Sequence, residues 1–429
     1  MKPQKLPIEF DYAFLEETLL QLLAIPSPVG LTDGIVRYVA CRLEAIGLSY
    51  EITRRGAIRA TIAGRESRPA RAVVAHLDTL GAMVRQIKPN GRLGIVPIGH
   101  WSARFSCGGR LTIFTDSGQL RGTCLPLKTS GHAFGDEIDK QPISWEHVEV
   151  RVDIAASSSA EMSAAGINIG DWIAFDPQVE ILPNGYINSR YLDDKAAVAA
   201  LLTACKAIVD SGLIPPVDVF PLFTITEEVG SGSSAALHGD IAEMVSLDIA
   251  IAAPGQNSNE HAVTICFQDM SGPFDYHLTH KLATLARQYG IDHRRDVFRF
   301  YRSDSAAAVE AGNDIRTALI GFGADASHAQ ERTHRTALEA LATLTGAYML
   351  SEPVARRDRK SMGTLDGFTE QLTPEEMAVP ASPLPQPDAF LEPDGSMPGT
   401  QEHLPSTAKA GEADEAGAAD RNSTAKDPS

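Results

Sequence analysis

Apolar positions recur at helical spacing in several segments, separated by short runs that are dense in apolar and β-branched residues. The spacing predicts helices over residues 10–26, 31–48, 195–212, 277–290 and 335–352. The shorter runs predict strands over residues 50–55, 58–64, 71–78, 217–228, 247–255 and 298–304, the last at a sheet edge. Strands that alternate with helices predict an α/β domain with a largely parallel core sheet.

The middle of the chain, residues 83–180, has a different pattern. Short alternating pieces such as GRLTIFT and HVEVRVDIAA are separated by Gly, Ser and Asn, without a long helical pattern. We expect a small all-β domain here, inserted between two parts of the α/β domain at residues 1–82 and 181–353. Residues 354–429 are acidic and rich in Pro and Ala without an amphipathic period, which predicts a disordered tail.

The net charge, the length of the apolar runs and the spacing of the cysteines restrict the classes of protein to which this chain can belong. The 429 residues carry a formal net charge of −17, which is unsuited to binding nucleic acid or an anionic membrane. No apolar run is long enough to span a membrane, and the first residues lack the apolar segment of a signal peptide. The five cysteines are scattered without a CxxC pair, which is typical of reduced thiols. We therefore expect a cytoplasmic protein.

The sequence AHLDTLG is the first candidate for chemistry. Because side chains alternate along a strand, His76 and Asp78 would lie on one face. A metal-bound imidazole needs an acceptor for its other nitrogen, and a nearby carboxylate is a common one. His76 would then be a ligand and Asp78 its orienting group. The alternative is a His–Asp pair that closes a surface strand.

Adjacent carboxylates occur at two further places. Asp193 and Asp194 directly precede a helix, so N-capping is an alternative explanation to bridging two ions. Glu227 and Glu228 end an apolar strand, at the edge where ligands of open α/β sheets gather. Two such carboxylates repel each other unless one binds a cation or holds a proton, which favours a ligand beside a general base. The alternative is a charged strand-to-helix turn.

Three more residues complete the candidate set. Asp248 lies inside an apolar strand and needs a partner, which a metal ion, an Arg or a helix N-terminus would supply. His328 and His334 lie in a polar loop, and a solvated helix start is the favoured explanation for His334. Histidines with several carboxylates suit zinc or cobalt better than calcium. Neither a GxSxG nucleophile motif nor a GxxxxGK[ST] phosphate loop occurs.

The order of these motifs resembles the dinuclear metallo-aminopeptidases of the glutamyl aminopeptidase and tetrahedral aminopeptidase (TET) type. The resemblance spans residues 11–353 and is carried by AHLDTLG, MVRQIKPNGRL, GINIGDWIAFDP, YLDDKAA, TITEEVGSGS, LDIAIAAPGQ, YRSDSAAA and SHAQERTH. It implies a zinc-exopeptidase-like α/β/α fold in three layers, with an inserted β domain that mediates dimerisation. It also implies dimers that often assemble into dodecamers.

The resemblance also implies roles for the matching residues. Each of two divalent ions, zinc or cobalt, would have three ligands: His76, Asp193 and Asp248 for one ion, and Asp193, Glu228 and His328 for the other. Asp193 would bridge the two ions. Glu227 would be the general base, and Asp78 would orient His76. The implied activity is the removal of N-terminal residues from short peptides.

Some neighbouring residues depart from the family's pattern. Thr79 and Leu80 replace the usual Glu and Ile, and Lys195 replaces an Arg. These changes leave substrate preference and oligomer size open. The SHAQERTH and APGQNS sequences are most similar to a bacterial branch linked with the osmolyte N-acetylglutaminylglutamine amide. The alternatives to an aminopeptidase are a zinc-dependent N-acyl-peptide deacylase or carboxypeptidase, and, from another class, a catalytically silent assembly or binding protein.

Overall fold

The strands of the described residues belong to a large sheet and to a closed barrel. The computed structural model describes residues 3–360, 362–366, 368, 373, 376 and 379. The strands are β1 Ser49–Ile52, β2 Ile58–Thr61, β3 Glu66–His76, β4 Gly81–Ile87, β5 Leu93–Ile98, β6 Arg110–Thr115, β7 Gly118–Pro126, β8 Val148–Val152, β9 Trp172–Phe175, β10 Glu180–Ile181, β11 Tyr186–Ser189, β12 Val217–Thr224, β13 Ile241–Ile251, β14 Val263–Asp269, β15 Gly272–Pro273, β16 His293–Val297, β17 Arg316–Asp325 and β18 Glu331–His334.

The helices are distributed unevenly along the chain. The α-helices are α1 Tyr12–Ala24, α2 Asp33–Ile46, α3 Gly131–Phe134, α4 Glu137–Lys140, α5 Ser159–Ala164, α6 Leu192–Ser211, α7 Tyr276–Gln288, α8 Asp304–Glu310 and α9 Arg335–Leu350. Short 3-10 helices occur at Ala103–Ser106, Trp145–His147, Glu227–Val229, Ser233–Ala235 and Arg356–Arg359. The long helices all lie outside residues 83–180.

The large sheet has helices on both faces. Its core runs in the order β2, β12, β3, β13, β17, and β12, β3, β13 and β17 are mutually parallel. Val73 and Ala75 of β3 pack in the core that contains α1, α2, α6 and α9, whereas Ala72 and Val74 pack on the other face with Ala308 of α8. Alternate residues of β3 therefore face opposite sides of the sheet, and helices cover both sides. This arrangement confirms the predicted α/β fold in three layers with a largely parallel core.

The inserted β domain is a closed barrel. Six strands pair in the order β4, β5, β8, β7, β6, β9 around an apolar core of their own. The barrel begins at Gly81 and its last strand ends at Phe175. Its helices α3, α4 and α5 have only four to six residues, in agreement with the absence of a long helical pattern.

The strand predicted at residues 298–304 is wrong. The edge strand of this region is β16, which ends at Val297, and residues 298–303 form an irregular crossing before α8. At its end a helix cap replaces the predicted strand: the Ser303 side chain accepts a hydrogen bond from the Ser305 amide, and α8 begins at Asp304.

A buried charge cluster holds the end of α9 against the sheet. Glu243 accepts hydrogen bonds from the Tyr348 hydroxyl at 3.0 Å and from the amide of Val354, and it pairs with Lys281 at 3.3 Å and Arg71 at 3.7 Å. Burial opposes ionisation of Glu243, but Lys281 and Arg71 outweigh it and keep the pKa of Glu243 below its usual value.

The chain beyond residue 353 is described in part. Val354 and Ala355 are buried, and the Val379 amide donates to the Tyr289 hydroxyl at 2.7 Å. Most of the predicted disordered tail, including the whole separate unit Pro385–Ser429, lies outside the described residues. Among the residues that are described, no helix is both long and apolar enough to cross a membrane. All five cysteines are free thiols.

We predict that Glu243→Gln destabilises the fold by roughly 3–5 kcal/mol, because it leaves Lys281 and Arg71 as buried charges without their counter-charge. Calorimetric or urea unfolding measures this loss. Glu9→Gln, which removes a fully exposed ion pair with Lys5, is the matched control and should leave stability unchanged. Equal stability of the two variants would contradict the prediction.

Candidate metal centre

His76 stands at the carboxyl end of β3, in the middle of the parallel strands. The residue is 1% exposed. The Nδ1 atom is 2.9 Å from the main-chain oxygen of Asp78, and Nε2 is 3.1 Å from Oδ1 of Asp193. A carbonyl oxygen only accepts hydrogen bonds, so Nδ1 carries the hydrogen. Nε2 is thereby available to a cation beside Asp193.

Asp78 has a different role from the one expected of its carboxylate. Its Oδ1 lies 3.8 Å from His76 Nδ1, beyond hydrogen-bond distance, so Asp78 orients the imidazole through its main-chain oxygen. The carboxylate instead accepts from the amides of Glu227, at 3.1 Å, and Glu228, at 3.0 Å. Asp78 therefore holds in place the turn that follows β12, and this turn contains both Glu227 and Glu228.

The Asp193–Asp194 pair does not cap α6. The N-cap position belongs to Tyr191, and both aspartates have non-helical backbone angles inside the first turn. Asp193 lies between two imidazoles, with Oδ1 3.1 Å from His76 Nε2 and Oδ2 3.5 Å from His328 Nε2. Asp194 turns the other way and accepts from the His76 amide at 3.1 Å. The two carboxylates thus have different surroundings. Asp193 lines the cavity, and Asp194 binds the backbone of β3.

His328 reaches the centre from the loop after β17. Its backbone has a φ of 56°, a left-handed conformation that is uncommon for a residue with a side chain. Its Nδ1 lies 2.8 Å from the main-chain oxygen of His100, at the end of the barrel, and its Nε2 lies 3.4 Å from Oε2 of Glu228. The barrel therefore contributes directly to the orientation of this imidazole.

The expected ligands come together as two overlapping groups. Within each group the ligand atoms lie within 4.8 Å of one another: His76, Asp193 and Asp248, and then Asp193, Glu228 and His328. Asp193 belongs to both groups, and Glu227 belongs to neither. The mixture of imidazole nitrogen and carboxylate oxygen is a donor set that divalent transition metals accept. The residues present could therefore hold two neighbouring cations.

The electrostatics of the centre also fit cations. Burial raises the pKa of Glu228 to about 8, and the nearby Asp193 adds to this. Burial also raises the pKa of Glu227 and of Asp248 well above the usual value for a carboxyl. For His328 burial has the opposite effect, but the Glu228 and Asp193 carboxylates outweigh it and raise its pKa to about 11. Buried negative charge exceeds what the two imidazoles neutralise, so added positive charge would stabilise the centre.

Glu331 was not anticipated from the sequence. It is 2% exposed, and its carboxylate accepts from the amides of Asp193 and His328, each at 3.1 Å. It therefore fixes two candidate ligands that come from distant parts of the chain. In the sequence it is one polar residue among several in SHAQERTH, and only its amide partners distinguish it. His334, in contrast, caps α9, as the alternative for that residue proposed.

Asp304 was also missed, because residues 298–304 were predicted as a strand. Its carboxylate accepts from the Thr224 hydroxyl at 2.6 Å and from the Ser233 amide at 2.5 Å. A Cβ atom on Gly232 would lie 2.1 Å from Asp304 Oδ1, so the glycine allows this close approach. Asp304 thus ties the loop after Glu228 to the end of β12.

A cavity of about 1000 Å³ opens over the centre. It is lined by four of the five candidate ligands, by Glu227 and by the crossing before α8; these four ligands are Asp193, Glu228, Asp248 and His328. Phe298 in this crossing is buried, whereas Phe300 is 85% exposed at the mouth. The space is large enough for a small-molecule or peptide substrate to reach the carboxylates.

Comparisons with known proteins identify relatives of this chain. A family model described as M42 glutamyl aminopeptidase matches residues 56–344. YhfE of Bacillus subtilis, a protein assigned as an aminopeptidase, is 38% identical over 339 residues, which cover 79% of this chain and 98% of that protein. The glutamyl aminopeptidase of Lactococcus lactis is 29% identical over 215 residues, 49% of this chain and 58% of that protein. This chain therefore matches only part of the length of the second relative.

Solved structures show the same fold. The TET1 peptidase of Pyrococcus horikoshii superimposes with a TM-score of 0.70 at 24% identity, covering 78% of this chain and 99% of that chain. The fold and the resemblance expected from the sequence motifs are confirmed. The match of the family model over most of the chain, together with the 38% identity to a full-length relative, shows that this protein is a peptidase of the M42 glutamyl aminopeptidase family.

Proposed function

We propose that this chain is a metal-dependent aminopeptidase that removes N-terminal residues from short peptides, with Glu227 as its general base. One observation carries the proposal. Two groups of ligand atoms share Asp193, and Glu227 stays outside both groups and lines the cavity. The adjacent glutamates therefore have different surroundings, which suit Glu228 to metal coordination and Glu227 to proton transfer.

Five residues would hold two divalent ions, most suitably zinc or cobalt: His76, Asp193, Glu228, Asp248 and His328. Such ions would polarise the scissile carbonyl and lower the pKa of the attacking water. Asp78 and Glu331 would keep the ligands in place through the backbone amides that they accept from. These two carboxylates would act on the ligands without touching substrate.

Glu227 has the position and the basicity for proton transfer. Its side chain is 14% exposed, its Oε2 lies 3.8 Å from His76 Nε2, and burial raises its pKa. In the proposed reaction Glu227 takes one proton from water as the water oxygen bonds to the scissile carbonyl carbon. It then gives that proton to the leaving nitrogen as the carbon–nitrogen bond breaks. The products are a free amino acid and a shortened peptide.

The same carboxylates explain cleavage at the amino terminus. A free N-terminal ammonium is attracted to the buried negative charge that lines the cavity, which would place the first peptide bond beside Glu227. A blocked N-terminus lacks this charge. This difference separates an aminopeptidase from an N-acyl-peptide deacylase or a carboxypeptidase.

Assembly is the second part of the proposal. The TET1 peptidase of P. horikoshii assembles into a tetrahedron or a large octahedral shell. We propose that this chain also forms a homo-oligomer, with the β4–β9 barrel as its dimerisation domain. Light scattering of the purified protein measures the number of subunits, and a monomer would overturn this part of the proposal.

The physiological peptide is the third part. Its support is the similarity of the SHAQERTH and APGQNS sequences to a bacterial branch linked with N-acetylglutaminylglutamine amide. We propose a glutamine-containing, amidated short peptide as its substrate in the cell. Faster cleavage of such a peptide than of free dipeptides and N-acetylated dipeptides would support this substrate assignment. Failure to cleave the amidated glutamine peptide would rule the assignment out.

A substrate and metal panel tests the activity. We expect free dipeptides and amidated glutamine peptides to be cleaved, and N-acetylated dipeptides to be resistant, because only the former present an N-terminal ammonium. Zinc, cobalt or manganese added to chelator-treated protein should restore turnover, which chelation alone should abolish. Released amino acids are quantified by chromatography. Cleavage of only N-acetylated peptides would favour the deacylase.

Glu227→Gln should reduce kcat by at least about 10²-fold while metal content stays near the wild-type value, because the amide cannot accept the water proton. Steady-state kinetics and elemental analysis measure the two quantities. Glu51→Gln, an exposed position on β1, is the control for the same chemical change. Full activity of the Glu227 variant would exclude it as the base.

Replacing a ligand should remove one metal ion for each ligand group to which that residue belongs. Asp193→Asn should lose both ions because both groups use it, whereas His328→Ala should lose about one. Asp210→Asn, at an exposed position on the same helix, should retain both ions. Elemental analysis of dialysed protein gives the stoichiometry, and an unchanged value for Asp193→Asn would refute the shared position.

A further inference from the structure

Gln256 is a cavity residue to which the sequence motifs assign no role. It lies in the loop after β13, next to Pro254 and Gly255, which also line the cavity. Its Nε2 atom lies 3.2 Å from Oδ1 of Asp296 and 3.1 Å from the main-chain oxygen of Val297. Both partners only accept hydrogen bonds, so they fix which end of the amide carries the nitrogen, and they use both of its hydrogens.

The carbonyl oxygen of the same amide is left for a ligand. In the described part of the chain, the Gln256 side chain takes part in only these two hydrogen bonds. Oε1 is therefore an acceptor in a fixed amide that has no donor from the protein. A ligand that brings an N–H group can bind it, whereas a carboxylate cannot, because a carboxylate has no hydrogen to donate.

Asp296 holds the loop that presents this oxygen. Its Oδ2 accepts from the amides of Asn257 and Ser258, each at 2.8 Å, and from the Ser258 hydroxyl at 2.6 Å. Its Oδ1 accepts from the Val297 amide at 2.9 Å as well as from Gln256. Asp296 therefore joins the loop after β13 to the end of β16. A side-chain amide that is already held in this way loses little freedom when a ligand binds.

The side of the cavity that contains Gln256 continues from the candidate ligand Asp248. Ile251 follows three residues later on β13, roughly 10 Å farther along the strand, and both residues line the cavity. Ile251 packs against the apolar cluster to which Phe298 belongs. Phe298 in turn directly follows Val297, whose oxygen binds the Gln256 amide. An apolar surface therefore separates the metal centre from the free acceptor, which suits a side chain with an apolar stem and a polar end.

Resting on the proposed aminopeptidase function, we propose that Gln256 is a specificity-determining residue, whose Oε1 accepts a hydrogen bond from the side-chain carboxamide of an N-terminal glutamine. The methylene groups of that glutamine lie along Ile251 and Phe298. An ionised glutamate has the same length but leaves Oε1 without a donor, and methionine forms apolar contacts alone. A site that hydrogen-bonds its substrate discriminates against analogues that lack the bonding group.

Arg299 is the competing specificity residue, because it lines the same cavity and would attract a glutamate side chain. Its guanidinium carbon lies 5.3 Å from the centroid of the Phe300 ring, and both residues are exposed. Water and salt screen an exposed charge of this kind. The fixed amide of Gln256 therefore outweighs it, and we expect the wild type to cleave glutaminyl p-nitroanilide at least about fivefold faster than glutamyl p-nitroanilide.

Gln256→Met keeps the length of the side chain and removes the acceptor. We expect kcat/KM for glutaminyl p-nitroanilide to fall by at least about fivefold, the effect of one lost hydrogen bond, while kcat/KM for methionyl p-nitroanilide stays within about twofold of the wild-type value. Asn257→Ala is the matched control. It removes a side-chain amide from the same loop, which donates to the Arg295 main-chain oxygen at 2.9 Å and does not line the cavity, and it should leave the ratio of the two rates unchanged.

Two results would overturn the proposal. Equal losses for the glutaminyl and methionyl substrates in Gln256→Met would show that Gln256 only holds the loop. A wild type that prefers the glutamyl substrate would assign the selectivity to Arg299. Calorimetry with the hydroxamates of glutamine and methionine gives the same comparison without turnover. It therefore tests Gln256 even if the wild type cleaves no aminoacyl substrate, which would refute the proposed function instead.

Discussion

The parallel order of β12, β3, β13 and β17 brings carboxylates from distant parts of the chain to one edge of the sheet, where they are withdrawn from water. Removing a charge from water costs several kcal/mol, and like charges at close range add to that cost. The centre tolerates this concentration only because each carboxylate has a compensating partner: an imidazole, a backbone amide or, in the proposed function, a divalent cation.

Three of these carboxylates share one structural role. Asp78, Asp304 and Glu331 each accept from groups on two different residues, and each holds a loop that carries candidate ligands or the proposed general base. Accepting from backbone amides satisfies a buried negative charge and fixes the main chain at the same time. The remaining carboxylates are then free to point into the cavity. The barrel adds a fourth support through the main-chain oxygen of His100, which orients His328.

Much of this molecule is readable from local patterns. The alternation of helices with apolar strands predicts the α/β fold, and the change of texture predicts the β insertion, because burial imposes a period on each element. The candidates His76 and Glu228 are suggested locally because His76 ends an apolar strand and Glu228 follows one, and polar residues at such places are rarely needed for packing. The strand predicted through Tyr301 was wrong, and its last residue instead begins a capped helix.

The sequence alone indicated the long helices, three of the four parallel core strands and the residue types available at their carboxyl ends. The residue types alone left Asp193 and Asp194 equivalent, so that only the family resemblance separated them, and they assigned to the Asp78 carboxylate a task that its main-chain oxygen performs. They gave no sign of Glu331. Only the tertiary structure decided these points, because ligand groups and the amides that brace them come from segments far apart in the chain. The direction of a backbone N–H at such a meeting point depends on how the strands and loops align in space, which the identity of a single residue does not encode.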